Sequence, residues 1–176
     1  MNKRRSFITG IKSTSLLVKE RHFLKKYKPW GVILFSRNIK SISQTKKLTQ
    51  EIRKIFKDKN YPILVDQEGG RVNRFKKFFN ADLFTNKYFG ELYKKDRKKF
   101  YDYYKLFIQR TSYLLKLTGI NINTVPVLDL EIKGSSKIIG DRAFSGNPKV
   151  VSRIGDICID YHHKNNIGTV IKHIPG

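Results

Sequence analysis

The sequence predicts an α/β fold built on a parallel sheet, on two observations. Short apolar runs of the kind found in β-strands alternate with longer segments whose apolar residues recur every three or four positions. This alternation is typical of βα units, and five predicted strands with four helical crossovers fit into the 176 residues. Barrels and doubly wound open sheets share this pattern, so it leaves both architectures open.

The first half of the chain carries three of these strands. Each is a compact apolar run, and the second is the kind that is buried on both faces of a parallel sheet. One predicted helix places Leu17, Phe23 and Leu24 on one face and is ended by Pro29, and the next repeats apolar residues at helical spacing. The predicted strands are residues 6–8, 31–35 and 62–65, and the helices cover residues 16–26 and begin at residue 43.

The second half continues the alternation after a less regular stretch that is rich in aromatic residues. Gly119 is expected to end a long amphipathic helix, and Pro148 is expected to start the last helix, where proline is tolerated in the first turn. The predicted order is a loop at residues 75–89, a helix at 92–117, a strand at 120–128, a Gly- and Ser-rich loop at 131–149, the helix from Pro148, and a strand at 168–171.

The formal net charge is +23, which by itself would attract nucleic acid or anionic membranes. The positive charge is mostly Lys, however, and accompanies abundant Ile and Asn, a bias that an AT-rich genome produces in any protein. The densest run, residues 94–99, is interpreted as a solvated helix face. We therefore expect no nucleic-acid partner, and a steep salt dependence of DNA binding would contradict that.

Several features predict a cytoplasmic protein without a membrane partner. No run of 18 apolar residues is present, and the apolar stretch after the basic N-terminus is too short for a secretory signal. The single cysteine, Cys158, cannot form an internal disulfide, and its apolar neighbours Ile157 and Ile159 predict a buried, unreactive thiol.

Charged and hydrogen-bonding residues follow three consecutive predicted strands. Residues 66–74 follow the third strand, Asp129 and residues 140–142 follow the fourth, and residues 172–173 follow the fifth. Ligands of both candidate architectures bind at the carboxyl ends of the strands. A carboxylate that accepts from adjacent hydroxyls, beside Arg and Lys donors, suits a polyhydroxylated ligand.

Each of these elements also has a purely structural interpretation. An Asp at a strand end can cap a helix, and His173 alone could be a structural histidine. The Gly69-Gly70 pair can be an ordinary turn, or it can let a ligand approach the backbone closely. The coincidence of three such sites at one end of the sheet favours a binding cleft.

Five ordered motifs resemble glycoside hydrolase family 3, and specifically its β-N-acetylhexosaminidases (β-N-acetylglucosaminidases). The most particular is similar to the D-Q-E-G-G-R-V-x-R signature of that branch. The motifs are residues 31–38 (GVILFSRN), 66–74 (DQEGGRVNR), 123–129 (NTVPVLD), 139–145 (IGDRAFS) and 172–176 (KHIPG). The resemblance implies a (β/α)8 TIM barrel, with about the first half, up to five strands, in this chain. Residues 1–176 are accordingly expected to form a single incomplete N-terminal barrel domain.

The activity that the resemblance implies is exo-hydrolysis of terminal β-linked N-acetylglucosamine, typically from peptidoglycan fragments during cell-wall recycling. By position, the sugar-binding residues are expected to be Asp66, Arg74, Arg142, Lys172 and His173. The expected partner is a small carbohydrate, either an N-acetylglucosamine-containing muropeptide or a chitooligosaccharide. No metal and no organic cofactor are expected.

The catalytic pair of the family is not expected within this chain. The acid/base His and the nucleophilic Asp are expected beyond Gly176, and a retaining glycosidase needs both groups. In the family, Asp66 and Glu68 correspond to binding and structural residues, so neither is assigned to catalysis. Residues 75–89 also lack the family's L-P-containing loop, and the first strand matches poorly.

Two alternatives stay open beside the hexosaminidase, and the sequence does not indicate an oligomeric state. A family 3 β-glucosidase-like hydrolase would share the fold, although residues 66–71 (DQEGGR) favour the N-acetylglucosamine branch. A non-catalytic half-barrel that binds amino sugars is disfavoured, because it would expose unpaired strand edges.

Overall fold

Five parallel strands form one sheet in the part of the chain that the computed structural model describes, residues 4–134 and 137–174. Their order in the sheet is their order along the chain. The strands are β1 (Arg5–Gly10), β2 (Pro29–Leu34), β3 (Ile63–Val65), β4 (Ile122–Asn123) and β5 (Gly168–Thr169). The helices are α1 (Val18–Tyr27), α2 (Ile42–Phe56), α3 (Asn86–Lys95), α4 (Arg97–Thr118) and α5 (Pro148–Lys164), with 3₁₀ turns at Ser36–Asn38 and Gly140–Arg142.

The sequential strand order decides between the two architectures that the sequence pattern leaves open. A doubly wound sheet reverses its strand order at a switch point, whereas here each new strand pairs with the one before it. Because crossovers between parallel strands are right-handed, a sequential order places every crossover helix on the same face of the sheet. That is the arrangement of a (β/α)8 barrel, so the predicted fold class is confirmed.

The predicted helix over residues 92–117 is wrong at its start, because two helices occupy the region. Asp96 has extended backbone angles (φ −149°, ψ 95°) and separates α3 from α4. Its carboxylate accepts from the Lys99 backbone N–H at 3.0 Å and so caps α4. The Thr85 hydroxyl caps α3 in the same way, within the predicted loop at residues 75–89. Neither α4 nor any other described helix combines the length and the apolarity needed to cross a membrane.

The fourth and fifth strands are shorter than predicted. β4 comprises only Ile122–Asn123, and the apolar residues after it leave the regular ladder at Pro126, which has no N–H to donate. Val127 still pairs with Lys172 in an isolated parallel bridge, and the Leu128 N–H donates to the Lys172 carbonyl at 2.6 Å. This bridge holds Lys172 at the carboxyl end of the sheet.

Two apolar clusters hold the helices on the sheet. The first lies between the sheet and helices α1, α2 and α4 and includes Val32 and Ile63. The second is largely aromatic, joins α3, α4 and α5, and includes Phe89 and Phe144. The predicted apolar face of the first helix is only partly buried, because Leu24 is buried whereas Leu17 and Phe23 are exposed. Leu17 precedes α1, and the Phe23 ring packs against Phe7 of β1 at a centroid distance of 6.3 Å.

The prediction of a buried, unreactive cysteine agrees with the structure. The Cys158 side chain lies in the aromatic cluster, where burial raises the pKa of its thiol to about 12. The thiolate, which is the nucleophilic form, is therefore scarce at neutral pH.

Candidate functional site

The ends of β3, β4 and β5 bring Asp66, Thr124 and Lys172 into contact. Lys172 Nζ donates to Asp66 Oδ1 at 3.0 Å and to Thr124 Oγ1 at 3.3 Å. The Thr124 hydroxyl donates to the same carboxylate oxygen, while Arg74 Nη2 lies 3.4 Å from Asp66 Oδ2. The Asp66 side chain keeps 19% of its surface exposed, so it is open to a ligand.

Asp66 is held in its ionised form. Burial alone would raise the pKa of this carboxyl group, but the Thr124 hydroxyl, Lys172 and Arg74 together hold the pKa below its usual value. A carboxylate in this form accepts hydrogen bonds and donates none. The site therefore presents a fixed acceptor at the mouth of the sheet.

A second carboxylate, Glu68, lies beneath the first and is almost fully buried. Arg142 donates to it twice, from Nε to Oε2 and from Nη2 to Oε1, both at 2.9 Å. Lys172 Nζ approaches Glu68 Oε1 at 2.5 Å. The hydrogen bonds that Arg142 donates to Glu68 raise the pKa of its guanidinium, which stays charged.

His173 is oriented by Asp129, at the mouth of the site. Its Nδ1 lies 2.6 Å from Asp129 Oδ2, and its backbone N–H donates to the same oxygen at 3.3 Å. An ionised carboxylate only accepts, so Nδ1 carries the hydrogen. His173 Nε2 faces Arg142 Nη2 at 3.5 Å. Since the guanidinium only donates, Nε2 is the acceptor nitrogen of the ring.

All five residues that the resemblance assigned to sugar binding belong to this one network. Arg74 and Lys172 contact Asp66, while Arg142 reaches Lys172 through Glu68 and contacts His173 directly. Sequence reasoning did not single out Thr124. Its signal would have been its position immediately after β4, since the residue beyond a strand end faces the site in this class of fold.

The Gly69-Gly70 pair serves the chain's own packing. Both residues have positive φ, +99° and +53°. A Cβ at Gly69 would lie 2.2 Å from the Phe84 carbonyl oxygen, and a Cβ at Gly70 would lie 2.8 Å from Thr85 Cγ2. Of the two interpretations left open by the sequence, a turn or a close approach by a ligand, the structure favours the turn, because residues 84–85 make the close contact in the segment leading into α3. The glycines fix the turn that carries Glu68.

A buried polar chain supports the site from below. The Asn123 side chain accepts from the Gln67 backbone N–H at 2.9 Å and donates to the Gln67 carbonyl at 3.0 Å. His162 Nδ1 lies 2.9 Å from the Cys158 carbonyl, and its Nε2 lies 3.2 Å from Asn123 Nδ2. A carbonyl only accepts, so Nδ1 carries a hydrogen, and the Asn123 amide nitrogen only donates, so Nε2 is an acceptor and the ring is neutral. Burial lowers the pKa of His162 from 6.5 to about 4.

The lowered pKa of His162 predicts that the folded chain loses stability in mild acid. The unfolded chain takes up a proton at His162 below about pH 6.5, whereas the folded chain does so only near pH 4. The free energy of unfolding should therefore be highest above pH 6.5 and fall by about 3 kcal/mol on the way to pH 4. Urea unfolding at a series of pH values measures this slope. His162→Gln should flatten it, and an equally steep slope in that variant would contradict the assignment.

No group of three or more His, Cys, Asp or Glu side chains that could hold a metal ion occurs in residues 4–134 and 137–174. Asp66 and Glu68 are instead paired with Arg and Lys, and Asp129 is paired with His173. Pro175 and Gly176, the last residues of the fifth motif, lie outside the described residues.

Fold and site together define an α/β-barrel protein with a network of polar side chains at the carboxyl ends of its strands. Residues 10–176 match the model described as the glycosyl hydrolase family 3 N terminal domain, and the chain belongs to that family. A beta-hexosaminidase of Xanthomonas campestris pv. campestris is 34% identical over 169 residues, which cover 96% of this chain and 50% of that protein. A beta-hexosaminidase of Hydrogenovibrio crunogenus is 35% identical over 173 residues, covering 96% of this chain and 46% of that protein.

Solved structures are also similar to this chain in both fold and sequence. Native NagZ from Neisseria gonorrhoeae has a TM-score of 0.87 and 30% identity to this chain, covering 98% of this chain and 50% of its own. The complex of that protein with N-trifluoroacetyl-D-glucosamine gives the same TM-score and identity. The chain thus spans about half the length of the curated relatives and solved structures that it matches.

Proposed function

We propose that this chain forms the sugar-binding part of a β-N-acetylhexosaminidase that removes terminal β-linked N-acetylglucosamine. The observation that carries the proposal is the network of Asp66, Arg74, Arg142, Lys172 and His173 at the carboxyl ends of the strands. The relatives named beta-hexosaminidase and the glucosamine derivative bound by the Neisseria protein support the same substrate class.

The roles follow from the chemistry of each group. Asp66 accepts hydrogen bonds from adjacent sugar hydroxyls, because its carboxylate is ionised and partly exposed. Arg74, Arg142 and Lys172 donate to ring oxygens and substituents, since their charged groups have no acceptor function. His173 sits at the mouth, where its ring contacts the sugar beside Arg142.

The catalytic pair belongs to the part of the enzyme that this chain does not contain. In this proposal an acid/base His and a nucleophilic Asp lie beyond residue 176, which is consistent with a chain that covers about half of each relative. Residues 1–176 are in this proposal a single, incomplete barrel domain. The natural substrate is a muropeptide or a chitooligosaccharide, handled in the cytoplasm during peptidoglycan recycling.

A comparison of two polypeptides tests the proposal. Residues 1–176 alone should not hydrolyse 4-nitrophenyl N-acetyl-β-D-glucosaminide, because they lack the nucleophile and the acid/base group. The product of the whole reading frame, if it continues beyond the Gly176 codon, should hydrolyse it and lose that activity on Asp66→Ala. Turnover by residues 1–176 that Asp66→Ala abolishes would contradict the division of roles.

The same assay separates the two alternatives. A β-glucosidase-like enzyme would prefer 4-nitrophenyl β-D-glucoside to the N-acetylglucosaminide. A non-catalytic amino-sugar-binding half-barrel would bind N-acetylglucosamine, with a stop codon directly after Gly176 and no longer product. The second alternative shares the network of Asp66, Arg142 and Lys172 with the leading proposal and differs from it only in lacking a catalytic pair.

A further inference from the structure

Glu68 differs from the other charged residues of the site because it cannot reach a ligand. Only 2% of its side chain is exposed, against 19% for Asp66 and 15% for Arg142. Both carboxylate oxygens are occupied, Oε2 by Arg142 Nε and Oε1 by Arg142 Nη2 and Lys172 Nζ. Its partners, in contrast, are residues that the proposed function places against the sugar.

The three groups come from three different connections of the barrel. Glu68 follows β3, Arg142 ends the 3₁₀ turn Gly140–Arg142 after β4, and Lys172 follows β5. The Arg142 backbone is fixed separately, since its carbonyl accepts from Asn86 Nδ2 at 2.7 Å. Its guanidinium has weaker contacts elsewhere, at 3.5 Å to the Ile138 carbonyl and 3.5 Å to His173 Nε2. Glu68 is therefore the strongest restraint on the direction of the Arg142 side chain.

Glu68 also keeps two like charges together. Arg142 Nη2 and Lys172 Nζ both contact Glu68 Oε1, at 2.9 and 2.5 Å, so the two cations are close neighbours. Without a negative charge between them they would repel each other, in a buried setting where water screens little. The bidentate contact additionally fixes the plane of the guanidinium, which a single charge would not do.

We propose that Glu68 is a positioning residue of the sugar site, which sets the directions of Arg142 and Lys172 toward the ligand without touching it. The proposal rests on the proposed function for the identity of the ligand. The restraint itself does not depend on the ligand. Glu68 holds the Arg142 guanidinium and the Lys172 ammonium in one fixed arrangement, although the three residues come from segments after three different strands.

Nuclear magnetic resonance of the side-chain N–H groups tests the fixed arrangement in the unaltered chain, without any sugar. A restrained Arg142 should give a resolved Nε–H signal that exchanges slowly with solvent, because its partly buried hydrogen bond ends on a Glu68 side chain that is only 2% exposed. An Arg142 signal that exchanges as fast as that of a solvent-exposed arginine would overturn the proposal, whether or not the protein binds sugar.

Glu68→Gln tests the consequence for binding. The amide keeps the shape of the side chain but removes its charge and turns one oxygen into a donor, which faces a cation. We expect binding of N-acetylglucosamine to weaken about 10- to 100-fold, together with loss of the slow Arg142 Nε–H exchange. Glu131→Gln is the matched control, because Glu131 pairs with Lys87 at a more exposed position and should leave both readouts unchanged.

The outcomes of these experiments distinguish the positioning role of Glu68 from the proposed function of the chain. If the unaltered chain shows a restrained Arg142 but binds no N-acetylglucosamine, the proposed function fails while the restraint by Glu68 stands. If Glu68→Gln binds the sugar as tightly as the unaltered chain, the positioning role is wrong and the proposed function stands. If Glu68→Gln does not fold, the exchange rate of Arg142 in the unaltered chain decides.

Discussion

Asp66→Asn is expected to weaken the binding of N-acetylglucosamine by about 10- to 100-fold, since hydrogen bonds to charged groups contribute about 1.5–3 kcal/mol each. The carboxylate is the acceptor that sugar hydroxyls would use, and it also holds Lys172 and Arg74 in place. An amide turns one of its two oxygens into a donor, which then faces Lys172 or Arg74. Isothermal titration calorimetry at neutral pH measures the change.

Asp160→Asn supplies the control for this experiment. Asp160 lies on α5 and pairs with Lys164 at 2.7 Å on the surface, so it shares the charge change but not the site. Its substitution should leave the affinity for sugar unchanged. Equal affinity of the Asp66→Asn variant and the unaltered chain would show that Asp66 does not bind the sugar.

Gly90→Ala is expected to lower the free energy of unfolding by about 3 kcal/mol or more. A Cβ at this position of α3 would lie 1.7 Å from the Phe144 carbonyl oxygen, which belongs to backbone and cannot rotate away. The helix and residues 143–145 would have to separate, and the aromatic cluster around Phe89 and Phe144 would lose its packing. Urea unfolding monitored by circular dichroism gives the value.

Gly155→Ala is the matched helical control. Its new Cβ would lie 2.9 Å from Leu128 Cδ2, the end of a flexible side chain that can move. The helix propensity gained on replacing glycine offsets part of that cost, so the net change should stay within about 1 kcal/mol. A Gly90→Ala variant as stable as Gly155→Ala would contradict the close packing of α3 against residues 143–145.

The sequence predicts most of the fold because its local signals are strong. The apolar run that became β3 is fully buried and that of β2 is largely buried, and α2 and α5 begin near capping residues, Ser41 and Asn147. Asp96 is harder to interpret, since an acidic residue is ordinary within a helix and becomes a boundary only when its backbone is extended. The apolar run at residues 120–128 was likewise misleading, because apolarity does not reveal that only two of its residues keep strand pairing.

The candidate site was likewise only partly predictable from the sequence. Asp66, Arg142 and Lys172 are visible from the sequence because charged residues directly after strands are informative and the motifs resemble a known family. The pairing of Glu68 with Arg142 and Lys172 joins residues 74 and 104 positions apart, a relation that no local pattern encodes. The same holds for the glycine pair, whose partners at residues 84–85 become neighbours only in the folded chain.

Titration of the ¹⁵N-labelled chain with N-acetylglucosamine tests the central claim most directly. The account predicts that the sugar shifts the signals of Asp66, Arg74, Arg142, Lys172 and His173, at the carboxyl ends of the strands, and leaves the opposite end of the sheet unchanged. Shifts confined to other surfaces, or none at a sugar concentration of tens of millimolar, would contradict the assignment of this pocket to the sugar.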